Sequence, residues 1–523
     1  MSCTRIKGGF VMAGFYNYQN IVSEQLFNCQ NWTLELDWQK AKSLSIANLF
    51  TSQFGIKPNQ YYSAEIDVGP RGPNLVNCYL KNLNYVTNLS YLFYGARNLI
   101  NADVSNWNVD QVTDMSYLFY SSGFDTLDLS NWKINNVTKM TNIFGQCYNL
   151  RNLNIANWNF NSATGHFSVN GIYDLESVNA FNCDFGKISS LANLFNYSES
   201  LINLNISNWK VDNVKNWEWA FSWCRQITDI DCANWNMSNA INLDSMFWDC
   251  YNLTNLDVSN WDTSNVETFN GLFYGCYNLQ NLNVSNWNTD NVTSITSMFY
   301  QTFVENLNIN HWNISKISSL DYVFGWCDVL QNLKLTDWDV SNIHRFYQLF
   351  VGCQSLNWNY LGIENWNVSK GQNFGQMFTG CYNFTNMNLS NWRITNNASN
   401  LYNMFGECYG LTDLNVANWD VSNVTNVYYF LGNCPQLQNV DFTNWNLTKV
   451  TNLAWFFRIC NNLTNETLKN FAKVCLNATN VTTKNLYNTR SGTPLYFTNK
   501  QINAATVGQD LITQLQAAGW TTN

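Results

Sequence analysis

The sequence predicts an α/β solenoid of about 15 stacked coils, with a cap at each end. Tryptophan recurs at steps of 25–28 residues, with one double step across Cys183, and the apolar residues between successive tryptophans keep constant places. A repeat of this length is typical of a solenoid, because one coil cannot bury its apolar face and neighbouring coils must stack. The recurring residues are Trp107, Trp132, Trp158, Trp209, Trp235, Trp261, Trp287, Trp312, Trp338, Trp366, Trp392, Trp419 and Trp445.

One coil, from Cys250 to Cys276, shows the elements that the pattern predicts. Leu256 and Val258 alternate, as one face of a short strand requires. After a turn through polar residues, apolar residues recur at positions i, i+3, i+6 and i+7, which predicts a short α or 3₁₀ helical stretch. In this coil they are Val266, Phe269, Leu272 and Phe273. The in-phase tryptophans should fill the core, where burying one indole contributes up to about 5 kcal/mol.

Many of the cysteines share one position of the coil. Stacking brings neighbours within the Cα distance of a disulfide, so a ladder of disulfides and a column of buried thiols both fit the spacing. We favour thiols, because the spacing is already explained by the repeat and cysteine is a compact apolar filler. No C-x-x-C or Cys/His spacing of a metal site is present. The in-phase cysteines are Cys147, Cys224, Cys250, Cys276, Cys327, Cys353, Cys381, Cys408, Cys434 and Cys460.

The chain divides into three predicted regions. Residues 1–73 fit the repeat poorly and hold three of the five prolines. They are expected to cap the solenoid or to attach it to a larger assembly. Residues 74–464 form the solenoid. Residues 465–523 are expected to cover the last coil with two helices, one carrying an apolar stripe through Leu468 and Phe471 and one running from about Gln509 to Ala518.

The strand half resembles the leucine-rich-repeat consensus L-x-x-L-x-L-x-x-N/C, to which Leu175, Val178, Ala180 and Cys183 conform directly. Most coils instead place Trp at the ninth position, with Asn before it. The run SNWDTSNV at residues 259–266 is similar to repeats of the Bacteroides surface protein A type, which are also abundant in mycoplasma surface lipoproteins and in phage-encoded proteins. This resemblance covers roughly residues 80–464. It implies a leucine-rich-repeat-like, right-handed coil stack with a role in adhesion or recognition, and it carries over no catalytic residues.

Composition and charge narrow the class of function. Charged residues make up only 12% of the chain, and the net charge is −9. An acidic chain without a basic patch is not expected to bind nucleic acid or anionic membranes, and no apolar stretch is long enough to predict membrane insertion. The three histidines lie in different coils, and no nucleophile or phosphate-binding motif is present. We therefore predict no enzyme, no cofactor and no metal.

Two sets of outward residues are candidates for ligand binding. The out-of-phase Trp223, Trp248 and Trp326 lie around the predicted helical half, where exposed rings would suit a sugar or a protein hot spot. They could equally pack sideways between coils. The residue between the two core positions of each strand points outward and is mostly Asn or Asp, as at Asp231, Asp257 and Asn283. This column either binds sugar hydroxyls or a protein, or keeps the sheet soluble.

The leading hypothesis is a non-enzymatic recognition or adhesion protein. The N-terminal sequence lacks the continuous apolar segment of a secretory signal, so a bacteriophage virion component, such as a tail or head fibre, is expected. It would bind a host surface glycan or protein and contact other virion proteins through its N-terminal region. A homo-oligomer is compatible with this hypothesis. A bacterial cell-surface adhesin and a purely structural capsid decoration protein are the alternatives. The expected location is the virion, or the bacterial surface under the first alternative.

Overall fold

The computed structural model describes residues 6–8, 32–37, 75–81, 87–95, 97, 103–482 and 502–522. It divides into two compact units, Met1–Asp262 and Thr263–Asn523. Each unit is built from coils that stack on one another, as the repeat predicts. Most of the region 1–73, expected to cap or attach the solenoid, lies outside the described residues.

Strands in the described residues pair in parallel, and in the repeats each pairs with the strand one coil away. Leu127 pairs with Leu153 in the first unit, and Leu414 pairs with Val440 in the second. This register confirms the solenoid. The first unit contains β1 (Ile6–Gly8), β2 (Trp32–Asp37), β3 (Leu75–Lys81), β4 (Thr126–Asp128), β5 (Asn152–Asn154), β6 (Gly165–His166), β7 (Ser177–Asn179), β8 (Ile188–Ser190) and β9 (Asn203–Asn205). The second contains β10 (Asn306–Leu307), β11 (Asn332–Leu333), β12 (Asn386–Asn388), β13 (Asp413–Asn415) and β14 (Asn439–Asp441).

The second half of the coil differs from the helical stretch that the pattern predicts. It consists of two consecutive β-turns, as at residues 115–118 and 119–122, each closed by a bond from the fourth N–H to the first carbonyl. The third residue of each turn, Tyr117 or Ser121, has a positive φ, as in a type II turn. Other N–H groups donate to the next coil, as Phe119 N does to Ile143 O at 2.9 Å. The first and fourth residues of each turn face the core, so tandem turns repeat their apolar residues with helix-like spacing.

The corners of the coil are held by Asn and Asp side chains. In the first unit, the side-chain oxygens of Asn236, Asn242 and Asp257 each accept the N–H two residues further on, at 3.2, 2.8 and 3.0 Å. Such Asx turns satisfy the backbone at a bend without regular secondary structure. The asparagine-rich composition therefore follows from the number of bends in each coil.

The core is a column of tryptophans beside a column of cysteines. The in-phase tryptophans are buried, which confirms the sequence prediction, and most donate Nε1–H to a carbonyl of the preceding coil, as Trp419 does to Leu389 O at 3.3 Å. At Cys183 the thiol donates to Ile155 O at 3.2 Å, so it replaces both the volume and the hydrogen bond of a tryptophan. The in-phase cysteines lie buried as thiols, and Cys147 bonds to Phe119 O at 2.9 Å.

Helices occur mainly at the end of the second unit. A short helix, α1 (Trp358–Leu361), accounts for the two extra residues between Trp338 and Trp366. The helix α2 (Asn465–Cys475) begins at the cap Thr464 and buries its apolar stripe. It is followed by α3 (Ala504–Val507) and α4 (Gln509–Ala517), and Trp520 Nε1 donates to Cys475 O at 3.1 Å. Both expected helical segments of this region are present.

Candidate binding surface

The described residues offer open surfaces as candidate sites. They hold no group of three or more His, Cys, Asp or Glu side chains that could bind a metal ion. No helix among them is long and apolar enough to cross a membrane. Cavities of about 500 Å³ and about 390 Å³ lie beside the C-terminal helix α2. Both are open to solvent, so neither offers the enclosed site that reactions in a water-excluded environment need.

The outward strand column is exposed, and each of its three predicted residues already bonds within the fold. Asp257 accepts the Ser259 N–H at 3.0 Å and the Ser259 hydroxyl at 2.6 Å. These hydrogen bonds lower the pKa of Asp257. Asn283 holds Ser285 in the same way, and Asp231 accepts the Ser207 hydroxyl at 2.9 Å. The geometry therefore gives this column a structural role at the corners.

A second surface is formed by the outward side chains of the tandem turns, and we call it the turn face. In both units it carries aromatic rings that stack from coil to coil. Ring centroids are 4.9 Å apart for Tyr91 and Tyr117 in the first unit, and 4.8 Å apart for Tyr274 and Tyr300 in the second. The sequence interpretation missed this tyrosine column. Its signal was present, because the tyrosines recur at the coil period in the outward positions of the second half.

Trp223 lies on the turn face of the first unit, where other side chains already engage its ring. Tyr197 stacks against it at 5.5 Å, and Arg225 Cζ lies 4.3 Å from the ring centroid. Arg225 Nη2 in turn bonds to Asp249 Oδ2 at 2.7 Å and Nη1 lies 3.7 Å from Glu199. Trp248 is half-buried and packs against Trp219 at 5.6 Å. These two predicted residues form parts of side-chain clusters.

Trp326 lies on the turn face of the second unit and is the most open of the three. The residue is 43% exposed. Burial raises the pKa of the nearby Tyr300 to about 12. In the described part of the chain no aromatic ring stacks on the Trp326 indole. The structure therefore places the three predicted tryptophans on one kind of face but gives only Trp326 an open ring.

These features define a leucine-rich-repeat-like solenoid protein, a class typical of recognition and binding rather than of enzymes. Five overlapping segments, residues 76–171, 166–257, 251–361, 325–439 and 357–471, match the family described as "Mycoplasma protein of unknown function, DUF285". The chain belongs to this family. No curated protein matches the chain.

Solved structures of leucine-rich-repeat proteins are similar to the chain at low identity. A leucine-rich-repeat protein of Leptospira interrogans is 12% identical, with 86% of this chain and 89% of that chain covered and a TM-score of 0.20. The TLR13–ssRNA13 complex is 14% identical, with 86% and 78% covered and a TM-score of 0.19. Scores this low describe no common overall arrangement, so the fold rests on the hydrogen-bond register of the chain itself.

Proposed function

We propose that this chain is a non-enzymatic recognition or adhesion protein that binds its partner through the turn face. The observation that carries the proposal is Trp326, a residue with a large apolar ring that the fold holds at the surface and that is 43% exposed. Exposed aromatic residues on a firmly held scaffold are typical of binding hot spots. The tandem turns supply such a scaffold, because their backbone is bonded to the coil on each side.

The finer proposal is a bacteriophage virion component, such as a tail or head fibre, that binds a host surface glycan or protein. It is supported by the resemblance of the repeats to phage-encoded members of the Bacteroides surface protein A type. The N-terminal region would then contact other virion proteins. The alternative is an adhesin on a bacterial surface, which the Mycoplasma origin named in the family description favours. A purely structural capsid protein would bind no cell.

The test is binding of the fluorescently labelled chain to a panel of intact bacteria. Each strain is measured with and without its surface polysaccharide, and the unlabelled chain serves as competitor. We expect strain-selective, saturable binding that is lost when the relevant surface component is removed. Absence of saturable binding to every strain would contradict the recognition function for those hosts. Antibody labelling of virions and of cells locates the native chain and so distinguishes the fibre hypothesis from the adhesin hypothesis.

A further inference from the structure

The indole of Trp326 lies flat over a glycine of the next coil. Trp326 N donates to Val351 O at 2.5 Å, which places Gly352 beside it. A Cβ on Gly352 would lie 2.5 Å from Trp326 Cε3, 2.7 Å from Cδ2 and 3.1 Å from Cζ3. Three such similar distances put that Cβ above the plane of the six-membered ring, since an in-plane approach to Cε3 would leave Cδ2 much farther away. Any side chain at position 352 would therefore displace the ring.

Past the ring, the same position of the next two coils holds the buried glycines Gly352 and Gly380. Gly352 N donates to Thr379 O at 2.7 Å, and a Cβ on Gly380 would lie 3.4 Å from Gly352 Cα and 4.0 Å from Tyr382 Cε1. Trp326, Gly352, Gly380 and Tyr382 thus form one continuous patch, which we call the Trp326 platform. One face of the indole covers Gly352, and the residue as a whole remains exposed.

The rim of the platform is polar and acidic. Asp328 follows Trp326 by two residues, and Glu407 occupies the position of Gly380 one coil later, since Gly380 N donates to Gly406 O at 2.9 Å. Burial raises the pKa of Tyr382, and Tyr409, Glu407 and Asp328 add to this effect. Asp328 Oδ1 is buried and has no hydrogen-bond partner among the described residues. Tyr382 itself stacks on Tyr409 at 4.6 Å. The rim therefore offers hydrogen-bond acceptors and a phenol, and it repels anions.

We propose that the Trp326 platform binds a pyranose ring of an uncharged glycan. A flat, partly exposed indole matches the apolar C–H face of a pyranose, while the Asp328 carboxylate, two residues further along the chain, suits its hydroxyl groups. The acidic rim and the net charge of −9 disfavour an anionic polysaccharide. This inference names the ligand class within the proposed recognition function and rests on it.

The test is affinity electrophoresis of the full chain in native gels that contain a dissolved polysaccharide. The uncharged probes are dextran, galactomannan and the neutral polysaccharide fraction of any strain that the chain binds, and alginate is the anionic probe. We expect retardation by at least one uncharged polymer and none by alginate. Trp326→Ala should weaken the binding by roughly tenfold or more, the usual effect of truncating an aromatic hot spot. Trp326→Phe, which keeps a flat ring, should retain part of it.

Trp455→Ala is the matched control, because Trp455 lies on the same turn face but is covered by Arg458 at 4.5 Å and contacts Tyr428 at 5.4 Å. It should leave the retardation unchanged, and unfolding curves must show that all variants fold. Equal retardation of the wild type and Trp326→Ala, retardation by alginate alone, or none by any uncharged polymer would each overturn the proposal. If Trp326→Ala still binds intact cells, the recognition function stands without this site. If the wild type binds no cells, the recognition function itself fails, whatever the gels show.

Discussion

Replacing Ile459 by glycine and, separately, by alanine tests whether the second half of the coil is a pair of turns or a helix. Ile459 is the third residue of a turn closed by Cys460 N and Phe457 O at 3.1 Å, and it has a φ of 61°. It is a β-branched residue in a left-handed conformation, and its side chain is 44% exposed. Its substitution therefore removes little buried area and acts mainly through the backbone.

A turn and a helix predict opposite signs for the difference in stability between the glycine and alanine variants. An L-residue in the left-handed region costs about 1–2 kcal/mol, whereas glycine adopts it freely but loses about 0.5–1 kcal/mol more conformational entropy on folding. In a turn, Ile459→Gly should therefore be more stable than Ile459→Ala by about 0.5–1 kcal/mol. In a helix, the alanine variant would be the more stable one by about 1 kcal/mol.

The assay is urea unfolding of both variants, monitored by near-UV circular dichroism, with the difference in free energy of unfolding taken between them. Lys469 supplies the control, since it is an exposed residue inside α2. There, alanine should be more stable than glycine by about 1 kcal/mol. An alanine variant that is more stable than the glycine variant at both positions would refute the tandem-turn structure.

Three further predictions concern the core and the corners. Trp261→Phe should cost about 1–2 kcal/mol more than Trp235→Phe in urea unfolding, because Trp261 Nε1 donates to a buried carbonyl at 3.0 Å, whereas Trp235 Nε1 has no partner within the described part of the chain. Equal costs would contradict the role of that bond. Burial raises the pKa of Cys147 to about 11, so mass spectrometry should find this thiol unmodified by iodoacetamide at pH 8 in the native protein and alkylated in urea; rapid native labelling would show an open coil. Asp257→Ala should lower stability by about 1 kcal/mol at neutral pH. Because hydrogen bonds from Ser259 lower the pKa of Asp257 below 3.8, this difference should shrink as the pH falls through that lowered value, and a difference constant down to pH 2 would exclude the bonded carboxylate as its source.

The solenoid, its register and its tryptophan core were predictable from the sequence, because each depends only on residues that recur one coil apart. The tandem turns were not. Residues 266, 269, 272 and 273 fit a helical stripe, but the first and fourth residues of consecutive type II turns produce the same apolar spacing. Hydrophobic periodicity reports which residues face the core and leaves the backbone path open. The residue types at the left-handed positions did not indicate turns, because residues such as Tyr117 and Trp326 adopt a positive φ there as glycine does.

In the candidate site, too, the sequence predicted the positions of the outward aromatic residues but not the side chains that surround them. The sequence selected Trp223, Trp248 and Trp326 as equivalent, because each is an aromatic residue outside the core phase. Their environments differ because a ring on the turn face contacts the residue at the same position of the neighbouring coil. Where that residue is glycine the ring can lie flat, as Trp326 does over Gly352, and Tyr300 likewise lies against Gly325, with a Cβ there 2.7 Å from two ring carbons.

Trp223 has a charged residue, not a glycine, at the same position of the next coil. The residue one coil later is Asp249, whose carboxylate bonds to Arg225 and holds that guanidinium against the indole. The chemistry of an outward aromatic residue in this fold is therefore set by a partner about 26 residues away, as the step from 326 to 352 illustrates. An aromatic residue followed one coil later by glycine can lie flat against that coil, as Trp326 and Tyr300 do, and one followed by an acid beside an arginine lies in a closed cluster, as Trp223 does. Gly352→Asp should therefore displace the indole of Trp326 without forming such a cluster, because residue 328 is an aspartate and not an arginine. Arg225→Ala should remove only the guanidinium from Trp223, because Tyr197 still stacks on that ring at 5.5 Å.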